Sequence, residues 1–157
     1  MKLKNRIVIP AAVFGFFLLF TGSCAAADSP ALKKSNVFTE ETMNITIGST
    51  ILTAELANNS SARALKEMLS DGPVTIDMKD YSNFEKVGDL GKSLPTNNTQ
   101  VTTEAGDLIL YQGHLFVIYY APNSWNFTRL GKIQNVTASQ LKRILGSGDV
   151  TVTLSQD

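Results

Sequence analysis

One cysteine, one histidine and one tryptophan occur in 157 residues, and each scarcity closes off a chemistry. A lone Cys24 has no partner for an internal disulfide and cannot build a cysteine zinc site. His114, with no second histidine, cannot anchor a metal cluster, so neither metal nor cofactor is expected. No Gly-x-Ser-x-Gly elbow announces Ser-His-Asp catalysis, and no glycine-rich phosphate cradle is present. Internal repeats and basic clusters are missing too. The 14 basic and 14 acidic residues balance, yet Lys2, Lys4 and Arg6 lie in the first 23 residues, where no acid occurs. Without that segment the chain has three more acids than bases. Such a charge argues against nucleic-acid partners, whose binding depends on neutralising phosphates.

What the first residues do contain is export chemistry. The three cations precede an apolar run, residues 7–20, broken only by Pro10 and Gly15. That is a charged n-region and an h-region, too short and wrongly flanked for a membrane span. A signal peptide over residues 1–23 is therefore expected. Thr21-Gly22-Ser23-Cys24 resembles a bacterial lipobox, with Thr21 where Leu is usual. It implies lipidation at Cys24 and membrane attachment through that lipid alone. Ala25-Ala26-Ala27 offers a rival cleavage before Asp28. A cell-envelope lipoprotein is the first expectation and free secretion the second. Residues 24–42 are small, polar and charged, and read as a flexible tether.

The domain is expected from residue 43 to 155. Residues 44–47 and 50–56 alternate apolar and polar about Gly48-Ser49, a hairpin signature. Residues 58–70 read as a helix capped by Asn59 or Ser60, with Leu65, Met68 and Leu69 on one face. Residues 74–78 form another alternating strand, residues 84–87 a short one, and residues 93–99 a polar loop. The densest strand signals follow: residues 108–111 and 115–120 flank Gln112-Gly113-His114, and residues 127–133 resume after Pro122. Both central runs are apolar on both faces, which predicts strands closed around a core or covered outside, with Leu110 or Phe116 buried. Thr137 to Gln140 has capping-box spacing and opens a second helix, ahead of a last strand over 150–154. About eight short strands and two helices predict a mainly β fold, a closed eight-stranded antiparallel barrel.

In order and spacing, several segments resemble the bacterial cyclophilin-like fold family, small barrels distinct from the true peptidyl-prolyl isomerases. They are residues 57–65 (ANNSSARAL), 83–90 (NFEKVGDL) with Ser93-Leu94-Pro95, 105–108 (AGDL), Tyr119-Tyr120, 128–133 (TRLGKI) and 146–152 (GSGDVTV). The resemblance implies a helix-capped eight-stranded barrel and no established common activity. True cyclophilins isomerise proline bonds with an Arg, a Gln-bearing strand, aromatic floor residues and a His. Neither a Phe-His-Arg nor a Gln-Gly-Gly-Asp segment occurs here, so no isomerase residue carries over.

Six residues are candidate ligand contacts: Tyr81, Glu85, Tyr111, His114, Trp125 and Arg129. His114 sits in a hairpin turn and is expected to face solvent. Trp125 reads as a plug for the barrel end, or else as a stacking wall beside a loop. Glu85 and Arg129 are expected as an exposed pair across the barrel mouth, or jointly on a polar ligand. Tyr81, Tyr111, Tyr119 and Tyr120 read as wall residues, and the adjacent Tyr119 and Tyr120 must face opposite sides of the sheet. Together these readings predict a barrel that binds a small molecule or a peptide segment. The rival expectations are a diverged isomerase-like enzyme and a structural or interaction module of the cell envelope.

Overall fold

The computed structural model describes residues 37–157. The expected signal peptide, Cys24 and most of the expected tether lie outside the described residues. Nine strands and two helices follow in the order β1 (Phe38–Ile47), β2 (Thr50–Ala57), α1 (Ser60–Ser70), β3 (Val74–Tyr81), β4 (Glu85–Asp89), β5 (Thr99–Thr102), β6 (Asp107–Tyr111), β7 (Leu115–Tyr119), β8 (Ser124–Ile133), α2 (Ala138–Leu145) and β9 (Val150–Gln156). Every strand pairing is antiparallel, in the order β2-β1-β9-β3-β4-β7-β6-β8, and β2 closes back on β8. The closed eight-stranded barrel is therefore present, with β5 as a ninth strand attached to the first half of β8.

Among the departures from the expected elements, two strands start well before their expected residues and one strand is new. Strand β1 begins at Phe38, so residues 38–42, assigned above to the tether, belong to the barrel. Phe38 pairs with Ala57, and a register shift before Thr42 accommodates the irregular start. Strand β8 begins at Ser124 rather than 127, because Ser124 to Phe127 find partners in β5. Strand β5 itself was not expected. Its sequence TQVT offers one apolar residue, Val101, and only the β8 partner makes it a strand.

Alternation explains the interior. Met43, Ile45, Ile47, Leu56, Ile76, Met78, Leu108, Leu110, Phe116, Ile118, Leu130, Val152 and Leu154 fill the barrel, joined by Leu65 and Leu69 of α1 and Leu141 and Leu145 of α2. Leu110 and Phe116 are both buried. Two glycines permit close strand approach. A Cβ at Gly131 would meet the Glu55 carbonyl oxygen on the closing strand, and one at Gly88 would collide with Ile76. The helix starts follow their local chemistry. The Asn59 side chain accepts from the Ala62 amide at 2.9 Å, and Thr137 and Gln140 form a complete capping box.

The central hairpin is apolar on its outer face too, and the structure shows why. Ile109, Val117 and Tyr119 point away from the barrel and form a second buried cluster with Phe127. Phe84, Val87 and Val101 pack against that cluster from β4, β5 and the turn before β4. This outer layer positions the site.

Candidate functional site

A cleft of about 590 Å³ lies over the outer face of β4, β7 and β8. Val117, Tyr119 and Phe127 make its floor, Val87 and Leu115 flank them, and Tyr81, Phe84, Tyr111 and Trp125 rise around it. The rings touch in sequence. Tyr81 meets Phe84 edge-on at 5.9 Å between centroids, Phe84 stacks on Tyr119 at 6.2 Å, Tyr119 tilts on Phe127 at 5.6 Å, and Phe127 meets Tyr111 at 6.4 Å. Such offset and edge contacts suit the ring quadrupoles and hold the wall in one arrangement.

The cleft has few polar groups. Glu85 is the central one, on β4 directly opposite Tyr119 on β7. Its residue is 9% exposed, and its Oε2 has no hydrogen-bond partner among the described residues. Burial pushes its carboxyl above the usual value, against the opposing pull of the Tyr119 hydroxyl. The same hydroxyl is made a weaker acid, first by burial and then by the Glu85 carboxyl nearby. Asn123 Nδ2 donates to the Tyr119 oxygen at 3.3 Å, and Asn123 is fixed in turn by backbone bonds with Thr103.

Two further charges line the edge. Lys79 is exposed, and Asp80 is already engaged: its Oδ1 accepts from Lys86 Nζ at 2.7 Å and from the Tyr120 hydroxyl. Lys86 is wholly buried on the inward face of β4, where the Gly148 carbonyl also accepts from it at 2.6 Å. These bonds to Lys86 and Tyr120 hold the Asp80 carboxyl below its ordinary range.

Of the six candidates, four meet here: Tyr81, Glu85, Tyr111 and Trp125. Trp125 is 62% exposed, so it does not plug the barrel. As part of the β8 extension it stands at the cleft wall, the other reading its position allowed. His114 stays in the turn between β6 and β7, its Nδ1 3.0 Å from the Gln112 carbonyl, outside the cleft. Arg129 is elsewhere, and the expected Glu85–Arg129 pair does not form. Strands β7 and β6 intervene between β4 and β8, and three strand spacings amount to about 14 Å. Arg129 bonds instead to the buried Asp107 at 3.0 Å, beside Lys132, and its guanidinium lies over the Phe38 ring. Tyr119 and Tyr120 do face opposite ways, one into the cleft and one toward Asp80 on the inner side.

The sequence reading missed Lys86 and Asp107, because a charged residue on a strand ordinarily faces water. One signal was available for Lys86: two residues from Gly88, it shares that residue's inward face. Among the described residues no cluster of His, Cys, Asp and Glu is suited to a metal, and no helix is long and apolar enough to cross a membrane.

The Cyclophilin-like family matches residues 45–155 of the chain. No curated protein matches. Among solved structures, the hypothetical protein AF2241 from Archaeoglobus fulgidus superposes with a TM-score of 0.54 at 14% identity, covering 78% of this chain and 99% of its own. At that identity the likeness is one of fold.

Proposed function

The chain belongs to the cyclophilin-like family, and from that premise we propose that it is an exported barrel which binds a small molecule in its outer cleft. The observation that carries this reading is the cleft itself. It lies within the size range of small-molecule sites, is walled by aromatic rings and holds a few convergent polar groups. A peptide would ask for a longer groove along one sheet. Here Tyr81 and Trp125 stand at the cleft walls, and Tyr81 is itself 60% exposed. The export half of the proposal rests on the sequence of residues 1–24, with Cys24 as the lipid-bearing residue and the cell envelope as the location.

Trp125 is the only tryptophan, so its emission reports on this cleft and nowhere else. A fragment screen read by that emission is expected to return ligands that Val87→Phe, which fills the cleft from β4, no longer binds. Ligands that bind the variant as well as the wild type would place the site elsewhere.

A further inference from the structure

We propose that the ligand class is a small organic cation, carrying a quaternary or substituted ammonium group between the aromatic walls and Glu85. This deepens the binding reading above and rests on it. The walls make the first argument. Six aromatic residues line the cleft, while Phe38, Phe116 and Tyr120 are the only others in residues 37–157. Ring faces carry negative potential and attract a cation, more so where water is excluded.

Glu85 makes the second and independent one. Its Oε2 is out of contact with solvent and lacks a hydrogen-bond partner among the described residues. A buried carboxylate in that condition is costly until a donor or a positive charge approaches it. Among the described residues no cation pairs with it. Lys86 lies on the opposite face of β4 and is held by Asp80, and Lys79 is exposed at the edge. Asn123 already donates to Tyr119.

Other ligand chemistries fit less well. An anion would meet Glu85 across an apolar floor. A neutral apolar molecule would cover the rings and leave the Glu85 oxygen as it is. A cation answers both the rings and the carboxylate at once.

The test titrates the purified full chain with choline and with 3,3-dimethyl-1-butanol, its neutral carbon isostere, following Trp125 emission. Choline is expected to bind at least about tenfold more tightly than the isostere. Glu85→Gln is expected to bring that ratio close to one while changing the isostere's affinity little. Tyr81→Leu, at an exposed position where folding is not at risk, should weaken choline more than the isostere. Equal affinities in the wild type would overturn the cation assignment and leave the small-molecule reading standing. A preference for choline that survives Glu85→Gln would also overturn it. Silence with both probes would overturn it as well, and the neutral fragment screen then decides the broader reading by itself.

Discussion

Glu85 and Tyr119 are directly opposed on neighbouring strands, and the hydroxyl of one is the polar companion of the other's buried carboxyl. The pair joins the floor of the cleft to the stability of the sheet, because burial raises the Glu85 carboxyl above its ordinary value.

A pH dependence follows. A carboxyl raised on folding contributes stability below its ordinary value and loses it as pH rises through the raised one. Asp80, lowered mainly by Lys86 and then by Tyr120, has the opposite sign: its contribution is present above the ordinary range and lost as pH falls through the lowered value. Lys79, Tyr111 and Tyr119 also line the cleft, but subtracting a variant from the wild type isolates Glu85. Urea midpoints for Glu85→Gln should exceed the wild type at neutral pH, with the gap closing as pH falls toward the ordinary carboxylate range. A gap that is constant with pH would show that the Glu85 proton is not linked to folding.

The buried cation gives a larger effect. Lys86→Ala removes the charge that faces Asp80 and leaves two accepting oxygens, on Asp80 and Gly148, without it. Breaking such a pair by deleting one partner costs about 3–5 kcal/mol. Lys86→Met keeps most of the buried stem and should cost less. Equal losses for the two variants in chemical denaturation would assign the whole effect to charge.

Phe116→Ala should cost about 3–5 kcal/mol, since its side chain is fully buried in the barrel interior. A loss under about 1 kcal/mol would contradict a close-packed interior at that layer.

Proline isomerisation offers a negative expectation with a mechanism. A donor that stabilises the twisted amide must be free to reach it, and Arg129 is bound to Asp107 away from the aromatic cleft. Purified protein is therefore expected to leave a proline-peptide assay at its uncatalysed rate. Acceleration that disappears in Arg129→Ala would reverse this.

The anchor is tested by fractionation. Cys24→Ser is expected to move the protein from the membrane to the soluble fraction, and unchanged membrane association would remove Cys24 as the lipid site.

Most of the fold was legible because its signals are local. Gly48 in the first hairpin, Asn59 before α1 and the Thr137–Gln140 box each act over a few residues, and each stands where the spacing put it. The apolar outer face of Ile109, Val117 and Tyr119 left a closed core and an outer cover as alternatives, and the structure has the cover. Part of what covers it was not legible: Val101 is placed by the pairing of β5 with β8, which joins segments that are weak strands alone. For the same reason four of the six candidate residues converge while Arg129 departs. Sheet order, a long-range property, decides which strands lie side by side.

Strand β9 lies between β1 and β3, so the last strand in sequence is an inner stave of the barrel. Its pairing with β1 spans nearly the whole domain, and the Thr42 and Asp157 side chains that bond beside it are 115 residues apart in sequence. Contacts of such separation bear the full entropy of loop closure before they return any energy. A chain emerging from the ribosome can form the β1–β2 hairpin and α1 early, but the sheet stays open until residues 150–156 arrive. The barrel closes only after synthesis of the domain is complete, and until then β1 and β3 each keep an unpaired edge.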